Sequence, residues 1–153
     1  MNKKIIIKLI LVILWMSVIF IFSSQNGIDS SKLSQGITYK VVELFKGKNY
    51  PEDKKEECVE KLGLFIRKGA HFFVYFVLAI LVYILLIEFK ISTTKLILYT
   101  IIICMLYAIT DELHQGFISG RAARVFDVFI DTCGATLSTS IMYIGNKLKI
   151  KNK

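Results

Sequence analysis

Long apolar runs alternate with short polar clusters along the chain. Ile5 to Phe22 form an 18-residue apolar stretch broken only by Lys8 and Ser17. Phe72 to Ile87 are 16 consecutive apolar residues, and Leu96 to Ile109 are apolar except for Thr100. A fourth run, roughly Val125 to Gly145, is more polar and carries Asp127, Asp131 and several Ser and Thr residues. With its flanks, each run approaches the ~20 residues that cross a bilayer as a helix. The pattern predicts an all-α integral membrane four-helix bundle, a single domain over 1–153 with spans at about 5–24, 68–89, 95–116 and 123–146. The first run follows Met1-Asn2-Lys3-Lys4, as a secretory leader would. It is long for a leader, no small-x-small site follows cleanly, and further spans come after it, so it reads as an uncleaved span.

The one long connection, about 25–67, is expected on the extracellular side. Within it, Ile28, Leu33, Ile37, Val41, Leu44 and Phe45 recur at near-helical spacing. They predict an amphipathic helix lying on the outer membrane interface. Pro51 and the charged run from Glu52 to Lys61 read as a solvated turn and helix, a spacer.

Composition agrees with a membrane chain. The hydrophobic fraction is 54% and the mean hydropathy +0.56, more apolar surface than a water-soluble core of this size can bury. That argues against an ordinary cytosolic enzyme and against disorder. Three scattered cysteines, Cys58, Cys104 and Cys133, make neither a disulfide framework nor a zinc site. The net charge of +8 is explained by topology. Four spans put both termini on one side, together with Lys3, Lys4, Lys8, Lys90, Lys95, Lys147, Lys149, Lys151 and Lys153 against the single acid Glu88. The remaining eleven basic and eleven acidic residues cancel. The positive-inside rule then places both termini in the cytoplasm. The lysines flank apolar spans and form no aromatic-basic motif, so nucleic acid is not an expected partner; membrane lipids are.

Depth sorts the polar residues. At 1.5 Å rise per residue, Ser23 lies about 28 Å along the first helix from Lys4, and His71 about 26 Å along the second from Glu88. Asp111 and Glu112 lie about 24–26 Å from Lys95, while Asp131 and Asp127 lie about 24 and 30 Å from Lys147. Four sequence-distant groups therefore meet near the outer edge of a hydrocarbon core that is ~30 Å thick. Arg67 and His71 are i, i+4, as are Asp111 and Gln115; Arg124, Asp127 and Asp131 share another stripe. Ionisable groups at this depth must face the bundle interior or a wet cavity and find partners.

Each group has a chemical and a structural reading. His71 is a general base or a hydrogen-bonded neutral imidazole. Asp111 and Glu112, adjacent on a helix, point about 100° apart, so one can serve structure while the other serves function. They are an acid–base pair or ion-pair partners of Arg121 and Arg67. Arg121 and Arg124 clamp a phosphate or carboxylate, or bridge to Asp111 or Asp127. Asp127, Asp131 and Glu112 have the chemistry for a divalent cation, and His114 with Asp111 and His71 gives a poor zinc pattern; neither metal nor cofactor is expected. Ser23 and Ser24 are nucleophiles near His71 or a helix end. Gly134, Ala135 and Ser138, and likewise Gly69 and Ala70, read as close-packing positions.

Four blocks give the chain a family resemblance: Phe22-Ser23-Ser24-Gln25; Arg67-Lys68 through Ala70-His71-Phe72 to Tyr75-Phe76; Asp111-Glu112 with His114-Gln115; and Gly120-Arg121 followed by Asp127, Asp131 and Gly134-Ala135. In this order and at these membrane positions they resemble the VanZ-like family of small bacterial membrane proteins. The chain departs from the family pattern at Ser119, commonly Pro, at Asp131, often Asn, and at Ser138, often Gly. The resemblance implies a multi-pass protein of the bacterial plasma membrane that lowers susceptibility to teicoplanin, a lipid-bearing glycopeptide antibiotic. It implies no agreed reaction. The leading expectation is a binding protein whose outer-leaflet pocket, made by Arg67, His71, Asp111, Glu112, Gln115, Arg121, Asp127 and Asp131, holds an envelope lipid, a cell-wall precursor or the lipoglycopeptide. The alternative is a lipid-modifying membrane enzyme with Glu112, Asp111 and His71 as acid–base groups. A small transporter subunit comes third, because such proteins show polar groups in both leaflets or broken helices. The oligomeric state is open.

Overall fold

A computed structural model describes residues 2–47 and 51–151. The side chains at 29 and 149–151 fall outside that description, so of the basic tail the side chains of Lys149 and Lys151, and Lys153 altogether, lie outside the described part. The fold is five helices with no strand among the described residues: α1 (Lys3–Ser23), α2 (Gly27–Lys46), α3 (Glu52–Ile87), α4 (Thr93–Gln115) and α5 (Val125–Lys151). Four of them, all but α2, are long and apolar enough to cross a membrane. This is the expected four-helix bundle plus one amphipathic helix.

Cross-bundle contacts fix the directions. Lys8 of α1 pairs with Glu88 just past the end of α3, while Trp15 Nε1 donates to the Val74 carbonyl at 2.9 Å; α1 and α3 are antiparallel. His71 faces Asp131 and Asn146 donates to the Tyr83 hydroxyl, so α3 and α5 run parallel. The bundle is therefore up-down-up-down, with both termini at one end and the α1 C-terminus, the α4 C-terminus and the α5 N-terminus at the other. The latter is called the polar end below. The core is a column of Val12, Ile19, Tyr75, Leu78, Val82 and Cys104 with Ala79, Ala108 and Ala135 between them. The lipid-facing sides of the spans stay apolar, Ile7, Leu14, Ile21, Leu106 and Phe129 among them. Hydrocarbon makes no demand for their burial, so packing rather than water exclusion holds such helices together.

The closest helix contact is between α3 and α5. A Cβ on Gly134 would lie 2.3 Å from the carbonyl oxygen of Phe72, so only glycine allows the two backbones to meet there. Ala135, Ser138 and Thr139 are also fully buried. Gly69 behaves otherwise: a Cβ there would meet nothing within 4 Å, and Ala70 faces a cavity. The expectation that Gly69 and Ala70 mark a packing seam is thus corrected; their small size serves open space.

Glu52 to Lys61 is no separate spacer element but the first turns of the 36-residue α3. At 1.5 Å per residue α3 is about 54 Å long, far more than the ~30 Å of a hydrocarbon core, so its first turns project beyond the bundle. No proline interrupts it after Pro51, and α2 covers one side. Thr38 and Val42 of α2 are buried on this contact, with Val59 and Lys55 of α3. The Lys55 ammonium reaches Glu52 at 2.9 Å and lies 4.8 Å from the centre of the Tyr39 ring. The predicted apolar stripe of α2 points away from that contact, with Ile28, Leu33, Ile37, Leu44 and Phe45 exposed. The N-terminus of α2 is held by Gly27, whose N–H donates to the Ser119 carbonyl at 3.0 Å. A Cβ on Gly27 would lie within 2.0 Å of the Gly120 carbonyl oxygen, and Gly120 itself has a φ of +75°. This pair of glycines lets the 116–124 turn clasp the start of α2.

The two α3-side glycine environments give a paired test. Gly134→Ala should cost about 1–3 kcal/mol through forced backbone separation, whereas Gly69→Ala should be neutral or stabilise by up to ~1 kcal/mol through helix propensity. Denaturant midpoints of the purified full chain in mild detergent check this; equal midpoints for the two variants would contradict the close contact.

Candidate functional site

Eight residues expected from depth and spacing assemble at the polar end, on α3, α4, α5 and the turn between the last two. The α3–α5 contact at Gly134 brings their stripes together. Lys68 Nζ meets Asp127 Oδ1 at 2.6 Å and lies 4.6 Å from the centre of the Phe126 ring. One turn deeper, His71 Nδ1 stands 3.7 Å from Asp131 Oδ1, outside hydrogen-bond reach. Asp131 is 0% exposed, and neither of its oxygens has a hydrogen-bond partner among the described residues.

The two adjacent carboxylates of α4 diverge, as helical geometry requires. Glu112 Oε2 accepts from the backbone N–H of Arg124 at 2.8 Å, so this residue pins the 116–124 turn to α4. Asp111 turns the other way. Its Oδ2 accepts from Gln115 Nε2 at 2.9 Å, and Gln115 Oε1 in turn accepts from Arg121 Nη1 at 2.9 Å. Arg121 Nη2 reaches the Phe22 carbonyl at 3.5 Å. Asp111 and Glu112 are 4% and 3% exposed, yet Asp111 Oδ1 and Glu112 Oε1 have no hydrogen-bond partner among the described residues. The expected ion pairs of these acids with Arg67 and Arg121 do not form. An amide stands between Asp111 and Arg121, and Arg124 offers Glu112 its backbone rather than its guanidinium. Asp127, expected to bridge to Arg121 or Arg124, pairs with Lys68 instead.

Arg67 points to α2. Its Nη2 donates to Ser31 Oγ at 2.8 Å and to Ser34 Oγ at 3.4 Å. These serines were missed in the sequence reading, although Ser31, Ser34 and Thr38 form an i, i+3, i+7 polar stripe that marks the face of α2 turned to α3. Tyr75 was also missed as a polar group: it is fully buried and its hydroxyl has no partner among the described residues. Arg121 lies between spans. Burial, then the like charge of Arg67, pushes its guanidinium below the usual arginine range.

The serine readings resolve toward structure. Ser23 Oγ and Ser24 Oγ both donate to the Phe20 carbonyl, at 3.0 and 2.7 Å. The imidazole near Ser24 is His114, with Nε2 at 3.2 Å, not His71. The His114 ring stacks on Phe20 with centroids 4.5 Å apart, so it tethers α4 to the end of α1 and does not join Asp111 and His71 in a metal pattern. Among the described residues no group of three or more His, Cys, Asp or Glu side chains converges on a metal position.

Two cavities open between these residues. The larger, about 260 Å³, lies between α1, α2 and α3 and is walled mainly by apolar side chains including Ile19, Leu33, Ile37, Ile66 and Val74. The smaller, about 90 Å³, is polar and is lined by Lys68, Gln115, Arg124 and Asp127. Arg67, His71 and Arg121 line both. Asp111 lines the larger one, whereas Glu112 lines neither.

The Asp111–Gln115–Arg121 relay is open to direct measurement. Gln115→Leu strands a buried carboxylate and a half-buried guanidinium, each loss of a partner costing about 1–3 kcal/mol. Denaturant unfolding in detergent should show a drop of that size, with Gln115→Glu, which keeps the acceptor toward Arg121 but sets a carboxylate against Asp111, also below wild type. Wild-type stability in Gln115→Leu would dissolve the relay.

Neither a search of curated proteins nor a search of solved structures returns a match. The family comparison does: the model of the family described as VanZ/LLP1 matches residues 8–146. That match takes in α3 and α4 whole, most of α1 and α5, the clasping turn and every residue of the polar end described above, so the chain belongs to the VanZ/LLP1 family.

Proposed function

We propose that this membrane protein binds an amphiphile of the cell envelope, a lipid or cell-wall precursor, at the outer face of the bacterial membrane, and thereby lowers susceptibility to teicoplanin-type lipoglycopeptides. The observation that carries this reading is the larger cavity: an apolar chamber between α1, α2 and α3 that ends on Arg67, His71, Asp111 and Arg121. Such a chamber suits a ligand with an apolar body and a few polar groups that fix its orientation. Asp111 Oδ1 is a buried acceptor awaiting a donor, and buried acceptors in folded proteins are normally satisfied. The outer-face placement rests on the charge pattern, with the excess lysines at the end that carries both termini. The link to teicoplanin rests on family membership.

A binder is favoured over an acid–base enzyme because Glu112, the strongest catalytic candidate on sequence, is committed to the 116–124 turn. His71 and Asp131 stand too far apart for a formed hydrogen bond. A transporter would need polar groups at both ends of the spans. Here the opposite end holds the Lys8–Glu88 pair and the Asn146–Tyr83 bond, which join helices.

Expression in a susceptible Gram-positive host, at membrane levels matched by immunoblot, tests the reading. Wild type should raise the inhibitory concentration of teicoplanin and leave that of vancomycin unchanged. Ala70→Phe, which fills the chamber, should return teicoplanin to the host level. Asp111→Asn should leave a partial effect, about a tenfold loss of affinity if one charge-assisted hydrogen bond is removed, where an acid–base enzyme would lose all function. No change in teicoplanin sensitivity with wild type would end the reading. For orientation, with the native cysteines replaced, an impermeant maleimide should label Glu60→Cys in intact cells and Lys147→Cys only after lysis.

A further inference from the structure

The two cavities differ in chemistry and share a wall. One is an apolar chamber; the other is a small polar recess at the bundle end. Arg67, His71 and Arg121 belong to both, so a single ligand can occupy the chamber and extend a headgroup into the recess.

Charge selects the headgroup. In the recess Lys68 and Asp127 neutralise one another at 2.6 Å. The three guanidiniums are not neutralised: among the described residues no carboxylate lies within ion-pair distance of Arg67, Arg121 or Arg124. Arg67 is held by serine hydroxyls and Arg121 by an amide and a carbonyl. Those neutral partners fix the direction of each fork without cancelling its charge. Guanidinium forks match the oxygens of phosphate and carboxylate. Three of them around one recess offer more forks than the two oxygens of a carboxylate can face, whereas a phosphate monoester presents three terminal oxygens and a larger negative charge. Asp111 at the chamber edge would repel an anion seated there, which places the anionic group on the recess side of Arg121 and the chain on the other.

Taking the amphiphile-binding reading as its basis, we infer that the ligand is a phosphate-bearing amphiphile: its acyl or polyprenyl chain lies in the chamber between α1, α2 and α3, and its phosphate is held in the recess by Arg67, Arg121 and Arg124. Arg67 and Arg121 at the shared wall then read the junction between chain and headgroup, and the chain and the phosphate must be covalently joined for full affinity.

The full chain in dodecyl maltoside micelles, which contain no phosphate, supplies the test. Trp15 is the single tryptophan and its indole N–H is bonded to the carbonyl of Val74, a chamber-wall residue, so its fluorescence reports chamber occupancy. The probes are monododecyl phosphate, dodecanoate, dodecyltrimethylammonium and inorganic phosphate. Monododecyl phosphate should saturate the signal and bind at least about tenfold more tightly than dodecanoate, the difference that one extra charge-assisted contact supplies. Inorganic phosphate should give no comparable binding. Arg121→Gln and, independently, Arg67→Gln should each weaken monododecyl phosphate about tenfold, with each free variant still showing the helical content and a cooperative unfolding transition of the folded chain; the two variants guard against misfolding of either. Equal affinity for dodecanoate or for the cationic amphiphile, abolished by Ala70→Phe, would overturn the phosphate assignment and leave the amphiphile reading standing. Inorganic phosphate binding as tightly as the ester would overturn the joined-ligand inference. No saturable binding of any amphiphile would overturn both.

Discussion

The contact at Gly134 sets the geometry of the polar end. With a glycine facing the Phe72 carbonyl, α3 and α5 approach until their backbones touch, and because they run parallel, residues one turn apart on one helix meet residues one turn apart on the other. Lys68 with Asp127, His71 with Asp131 and Tyr83 with Asn146 all follow from that register. A membrane bundle has no hydrophobic driving force between its helices, so this close packing and the few cross-helix polar contacts carry the association. A wider separation at Gly134 would part the charged pairs before it disturbed the lipid-facing sides, since those contribute no packing partner.

The same constraint explains the division of labour among the acids. Four carboxylates at membrane depth are expensive unless satisfied. Asp127 is matched by an ammonium and Glu112 by a backbone N–H, and both contacts tie elements together. Asp111 and Asp131 lie deeper; Asp111, like Glu112, keeps one oxygen without a hydrogen-bond partner among the described residues, and Asp131 keeps both. Asp111 is tied through Gln115 to Arg121 by neutral intermediates, which lets a carboxylate and a guanidinium share one network without collapsing into an ion pair. Amide, hydroxyl and backbone partners thus hold Arg67 and Arg121 in place without a carboxylate against either guanidinium among the described residues.

The spans, their number and the depth of the polar cluster were legible because hydrophobic period and helical rise are properties of local sequence. So was the divergence of Asp111 from Glu112, which 100° per residue dictates. The continuity of α3 was not legible. Its charged first turns look like a separate solvated helix when judged by hydropathy, and the decisive signal is the absence of any breaker stronger than Gly63 and Gly69 between Pro51 and Phe72. Partner choice was legible only as a set. Spacing put Arg67, Lys68, Arg121 and Arg124 beside Asp111, Glu112, Asp127 and Asp131, but which cation meets which anion depends on helix rotation and on where the 116–124 turn runs. Neither is written in any one segment. Ser24 illustrates the point: depth placed it near an imidazole, and the imidazole is His114 rather than His71.

The position of α2 gives the chamber its character. This helix leans on the projecting turns of α3 through Thr38 and Val42, and it is clasped at its start by the Gly27–Gly120 contact. Its serines hold Arg67 on one side, while Leu33 and Ile37 help to wall the chamber and remain about half exposed. One side of the chamber is therefore a helix whose own apolar stripe is unburied, which is the composition of a helix lying in a membrane interface. On the proposed reading, an amphiphile already in the surrounding lipid meets that stripe first and the guanidiniums next, so its chain never has to cross water to reach the site. The amphipathic helix outside the bundle and the charged groups inside it then serve one purpose: the first sets where a lipid can enter, and the second sets which headgroup can stay.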